Sequence, residues 1–206
     1  SIKKLSDAPR QVLVVGACDG ISHDLLYPHI KNNLEWSVVF VEPVKNYYNK
    51  LVQNCSTREN LIFENSAIMN YDGTDIIHKV PTDLIADGRA PHWANGVSSF
   101  YPDKGAISKF DDLETEEVNC ITAETLLLKY SISNVDILQI DTEGADAMVF
   151  NSLWEANVRP KLIMIEVVSM SDEDYSDITS KLSESGYTFE RDTQNSDDLI
   201  AYNGQL

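Results

Sequence analysis

Short apolar runs rich in β-branched residues recur along the 206-residue chain, and helix-length stretches of mixed polarity separate them. Gln11 to Val15, Trp36 to Val41 and Asn60 to Glu64 read as strands, the first two apolar enough for burial on both faces. Asp24 to Asn33 reads as a helix, and Val44, Tyr47, Tyr48, Leu51 and Val52 mark a second from Val44 to Asn54. Parallel strands need such crossovers. The β-α-β-α-β unit therefore predicts an α/β fold, and the length fits a single domain over residues 1 to 206.

The alternation lapses from Met69 to about Asn119, where Gly73, Pro81, Gly88, Pro91, Gly96, Pro102 and Gly105 punctuate the chain, so residues 69 to 119 read as an insertion of hairpins and loops. Regular structure resumes at Glu117 to Ile121, followed by a helix with Thr122 as its N-cap. Val135 to Ile140 and Lys161 to Val168 are expected strands around a helix from about Ala145 to Ala156. Asp172 to Ser185 is a further helix, closed by Gly186 in the left-handed conformation. Tyr187 to Arg191 and Leu199 to Asn203 lie too close for a helical crossover, which predicts an antiparallel hairpin. The expected core is a mostly parallel seven-stranded sheet with an antiparallel last strand.

Thirty-three acidic against sixteen basic side chains give a net charge of −17, which opposes binding to nucleic acid or anionic lipid. Cys18, Cys55 and Cys120 have no metal-ligand or redox spacing, and no apolar run approaches the ~20 residues of a membrane span. A polar start to the chain completes the expectation of a cytoplasmic protein without an integral membrane segment. His23, His29, His78 and His92 form no spaced ligand pair, so no metal is expected.

The first strand runs into Gly16-Ala17-Cys18-Asp19-Gly20, where glycines permit a tight turn and close approach of a ligand to the main chain. A dinucleotide fingerprint would place glycine where Cys18 stands, and a phosphate loop would carry Gly-Lys-Ser/Thr; both are missing. The second strand ends in Glu42, where related sites hold ribose hydroxyls, and Asn65-Ser66-Ala67 follows the third strand in position to read an adenine edge. This pattern describes a nucleoside site without a pyrophosphate, the shape of S-adenosylmethionine (SAM).

Val15-Gly16-Ala17-Cys18-Asp19-Gly20, Phe40-Val41-Glu42-Pro43, Asn65-Ser66-Ala67-Ile68, Ser98-Ser99-Phe100 and Asp136-Ile137-Leu138-Gln139-Ile140-Asp141-Thr142-Glu143-Gly144-Ala145-Asp146 together resemble the FkbM family of SAM-dependent methyltransferases. The resemblance implies a Rossmann-like class I methyltransferase fold, with SAM held by Gly16, Ala17, Asp19, Gly20 and Glu42, adenine near Asn65, Ser66 and Ala67, and Asp141 at the active-site end of the fourth core strand. Val14 departs from the acid that methyltransferases often carry two residues before the first glycine, which leaves a SAM amino contact to Asp19 or Asp141.

Methyl transfer from a sulfonium needs chiefly in-line alignment and exclusion of water. A hydroxyl acceptor must also lose its proton, and a carboxylate within reach serves as general base. Asp141 and Glu143 are the catalytic candidates; the alternative makes Asp141 a helix N-cap and Glu143 a first-turn acid. Asp146 is expected to face solvent or pair locally, and Glu166 to face the cleft or pair at the sheet edge. His23 follows the glycine turn, where it either contacts a ligand or starts a helix on the surface. Trp93, Phe100, Tyr101 and Phe110 in the insertion either stack on an acceptor or close a small core. The resemblance favours O-methylation of a sugar or other small metabolite. The competing readings are a non-catalytic nucleoside- or SAM-binding scaffold and a nicotinamide-dependent oxidoreductase.

Overall fold

The computed structural model describes residues 10–22, 26–56, 58–192 and 197–204. Strands β1 (Gln11–Val15), β2 (Ser37–Val41) and β3 (Leu61–Glu64) alternate with helices α1 (Tyr27–Asn32) and α2 (Lys45–Cys55). The second half supplies α4 (Ala123–Lys129), β8 (Ile137–Ile140), α5 (Asp146–Glu155), β9 (Leu162–Glu166), α6 (Asp172–Glu184), β10 (Thr188–Asp192) and β11 (Asp198–Tyr202). These strands form one seven-stranded sheet in the order β10-β11-β9-β8-β1-β2-β3. β1 pairs parallel with β2 and β8, β2 with β3, and β8 with β9, whereas β11 runs antiparallel to both β9 and β10. The sequence-based expectation of a mostly parallel, Rossmann-like sheet with an antiparallel last strand holds.

The apolar runs are continuous because both faces of the sheet are covered. Leu13, Val15, Leu138, Ile140, Ile163 and Ile165 pack with residues of α4, α5 and α6, while Val12, Val14, Ile137, Leu162 and Met164 belong to the layer that includes Ile30 of α1 and Leu51 of α2. Thr122 caps α4 by accepting the Thr125 N–H at 3.1 Å, and Gly186, with φ +80°, follows α6 as expected. α1 is shorter than the helix read from Asp24, and Pro28 stands in its first turn. His23 and Asp24 lie outside the described residues.

The insertion is more ordered than its glycines and prolines suggest. β4 (Ala67–Ile68), β5 (Gly73–Lys79), β6 (Ser98–Ser99) and β7 (Glu114–Ile121) form a second sheet in the order β4-β7-β5-β6. β5 and β7 pair antiparallel over seven residues, from Gly73 opposite Cys120 to Lys79 opposite Glu114. β7 starts three residues before the expected Glu117 because the acidic stretch Glu114-Thr115-Glu116-Glu117 hides the strand alternation, although Lys79 neutralises Glu116 at 2.7 Å. Between β5 and β7 lie α3 (Thr82–Ala86) and a separate small core of Val80, Leu84, Ala90, Ala94, Val97 and Ile107. Among the described residues no helix is long and apolar enough to cross a membrane.

The register places the site. Val15 lies opposite Val41 on one side and Ile140 on the other, so Gly16, Glu42 and Asp141 leave the sheet side by side at its carboxyl edge. In open α/β sheets that edge is where ligands bind.

Candidate active site

A cavity of about 670 Å³ opens at this edge. Gly16, Ala17, Glu42, Ser66, Ala67, Asp141 and Glu143 all line it, so three strand ends and a loop converge there. Asp19, Gly20 and Asn65 are not in that wall and instead build the loops that carry it. The Asp19 carboxylate accepts from Ile21 N–H at 3.0 Å, Ser22 N–H at 2.7 Å and the Ser22 hydroxyl at 2.8 Å. Asn65 Nδ2 donates to the carbonyls of Glu42 and Pro43, both at 2.9 Å.

Gly16 has φ +81°, and a Cβ there would stand 1.7 Å from the carbonyl oxygen of Asp141. Glycine is therefore required by the neighbouring strand end before any ligand is considered. Cys18 occupies the place of the absent middle glycine with φ +47°, which turns its N–H to Glu42 Oε2 at 2.9 Å. Glu42 Oε1 accepts from Val44 N–H at 2.8 Å. The carboxyl is only 4% exposed, and burial outweighs these two amides to push its pKa up to about 8.

Burial, then the nearby Glu42 and Asp19 carboxyls, pushes the Cys18 thiol up to about 12, so it packs as a neutral group. Its Sγ would lie 2.8 Å from a Cβ at Gly96, and the Gly96 N–H donates to the Tyr47 hydroxyl at 3.0 Å. Cys18, Gly96 and Tyr47 thus clamp the insertion onto the glycine turn. Sequence reasoning missed this contact, because nothing local links residues 18, 47 and 96.

Asp146, expected at the surface or in a local pair, is buried, and its partners are indeed local. Oδ1 accepts from Thr142 N–H at 2.7 Å and the Thr142 hydroxyl at 2.9 Å, and Oδ2 from Gly144 N–H at 2.9 Å. Helix α5 has Ala145 as its N-cap with no side-chain cap bond. Asp146 is therefore the acid that holds this turn, and Asp141 and Glu143 lie in the cavity wall.

Glu143 adopts φ +53°, a left-handed conformation that costs a non-glycine residue roughly 1–2 kcal/mol. The Ser99 hydroxyl from the insertion donates to its carbonyl at 2.7 Å. Burial and the Asp146 charge raise its carboxyl to about 7, against an opposing pull from Lys109. Glu166, also in the wall, is pushed to about 10 by burial and then by Asp141, Glu143, Asp146 and Asp198.

The insertion aromatics divide between the two roles read for them. Trp93, 45% exposed, and Phe100 line the cavity, whereas Phe110 packs on the small core and Tyr101 on the main one. Lys109 Nζ stands 5.3 Å from the Trp93 ring centroid. Among the described residues no group of His, Cys, Asp and Glu is arranged to hold a metal ion.

The model of the FkbM methyltransferase domain matches residues 15–189. Comparison with curated proteins finds no match. Among solved structures, fibrillarin from Methanococcus jannaschii is similar at 14% identity and a TM-score of 0.48, over 96% of this chain and 68% of that one. Aeropyrum pernix fibrillarin, solved with natively bound SAM, gives 13% and 0.44 over 94% of this chain and 65% of that one. A precorrin-6y C5,15-methyltransferase from Geobacter metallireducens gives 8% and 0.46 over 97% and 84%. On the family match, the chain belongs to the FkbM methyltransferases, whose methyl donor is SAM.

Proposed function

We propose that this FkbM methyltransferase transfers a methyl group from SAM to a hydroxyl of a small-molecule or glycan acceptor inside the cavity at the sheet edge. The observation that carries the reading is the convergence, in one cavity, of the buried Glu42, the Ser66–Ala67 edge and the two acids Asp141 and Glu143. When bound, SAM supplies a methyl activated by its sulfonium and leaves as a neutral thioether.

Glu42 has an acceptor pair left on each oxygen after its two amide bonds, and a ribose diol brings two donors. Ser66 and Ala67 lie beside it, where the adenine belongs. Asp141 stands two strands along from Glu42, about 10 Å at ~4.8 Å per strand, on the side where the acceptor would meet the methyl. Glu143 takes the hydroxyl proton at its carboxylate, and its pKa near 7 is matched to that task at neutral pH. Asp141 orients the donor's amino group or shares the proton-accepting role. Trp93 and Phe100 of the insertion line this cavity and offer apolar surface to an acceptor.

SAM and its demethylated product, S-adenosylhomocysteine, should both raise the melting temperature. Glu42→Ala should weaken that binding by roughly 1.5–3 kcal/mol, and Glu42→Gln, which keeps one acceptor oxygen, by less. A shift with NAD and none with either SAM species would favour the oxidoreductase. Full affinity in Glu42→Ala would remove this residue from the site.

A further inference from the structure

Beyond Asp141 the cavity ends in two buried side-chain oxygens without hydrogen-bond partners. Gln139 of β8 pairs in register with Met164 of β9, and Glu166 of β9 lies opposite Asp198 of β11. With a side-chain period of two, Gln139, Asp141, Met164 and Glu166 share one face of the sheet. Gln139 is only 8% exposed, and both it and Glu166 line the cavity. Neither Gln139 Oε1 nor Glu166 Oε2 has a hydrogen-bond partner, though both atoms are buried. Leaving such an acceptor unmet costs about 1–3 kcal/mol, and folded proteins retain few of them.

Their surroundings select the missing donor. Asp141, Glu143 and Asp198 also line this end, and Lys109 is the one Lys or Arg among the described lining residues. Its ammonium is placed over Trp93. A neutral donor would meet the two oxygens but leave Glu166 held protonated by burial and its acidic neighbours, whereas an ammonium meets both and returns Glu166 to the carboxylate that pairs with it. Glu166 is three strands from Glu42, about 14 Å at ~4.8 Å per strand and one strand past Asp141. That distance places it on the acceptor side of a donor anchored at Glu42.

We propose that Gln139 Oε1 and Glu166, backed by Asp198, form a subsite for a protonated amine on the methyl acceptor, so that the acceptor is an amino sugar or amino alcohol. This inference rests on the methyl-transfer reading. The ammonium donates to Gln139 and Glu166 and holds the acceptor's hydroxyl toward Asp141 and Glu143.

The test is calorimetric titration of protein saturated with S-adenosylhomocysteine, using the matched pairs D-glucosamine against D-glucose and ethanolamine against ethylene glycol. At least one amine should bind tenfold or more tightly than its neutral partner. Glu166→Gln, which keeps the side-chain shape, and Gln139→Leu should each remove that preference while S-adenosylhomocysteine affinity stays within about twofold. Equal binding of amine and neutral partner in both pairs would overturn the subsite and leave the methyltransferase reading standing. Loss of S-adenosylhomocysteine affinity in Glu166→Gln would assign the subsite to the donor's own amino group and also overturn it. Failure of the unmodified protein to bind S-adenosylhomocysteine would remove both readings together.

Discussion

Glu143→Gln is expected to lower turnover by about 10² or more while SAM affinity stays within about twofold, the signature of a lost general base. Glutamine keeps the size of the side chain and leaves the Ser99 bond to the main-chain carbonyl in place. The wild-type pH profile provides a second readout. Glu143 is raised from 4.5 to about 7, and a base works only when ionised. Activity should therefore fall as pH drops through about 7, and the variant should lose that limb. Asp141→Asn serves as the contrast: as a holder of the donor's amino group, Asp141 should show its loss first in SAM affinity. If Asp141→Asn instead loses turnover at full affinity while Glu143→Gln does not, the base is Asp141.

Gly16→Ala should destabilise the fold by about 2–5 kcal/mol, adding a left-handed alanine (about 1–2) to an overpacked contact (about 1–3). The new Cβ would meet the Asp141 carbonyl at 1.7 Å, and the obstacle is main chain rather than a side chain that can swing away. β1 and β8 would have to part at their carboxyl ends, moving Asp141, so SAM affinity should fall with stability. Gly88→Ala is the control, because Gly88 has φ +71° but nothing within 4 Å of its Cβ position, leaving only the backbone cost. Urea unfolding of both variants checks the difference. Equal losses would mean that backbone conformation alone explains Gly16.

The parallel core was legible because buried β-branched runs and helical spacing are local signals, and β1 falls on the expected residues. The insertion was not, because β5 and β7 find each other across more than thirty residues and neither strand alternates cleanly. At the site, Glu42 and the Asp141–Glu143 element were visible as acids at strand ends. Which acid holds the turn was not, since Asp141, Glu143 and Asp146 look alike in sequence and only the fold shows Asp146 collecting three donors. Gly16 was read for its effect on a ligand, yet its tightest contact is with β8, a strand more than 120 residues away. Likewise Gln139 is an unremarkable residue in an apolar run until its neighbours show that its oxygen has no donor.

A crystal structure of the chain with S-adenosylhomocysteine bears most directly on the cavity as the methyl-donor site. The ribose hydroxyls should lie about 2.5–3 Å from the Glu42 carboxyl oxygens, with adenine against Ser66 and Ala67 and the sulfur directed toward Asp141 and Glu143. Ligand bound outside this cavity, or inside it with the ribose away from Glu42, would contradict that assignment.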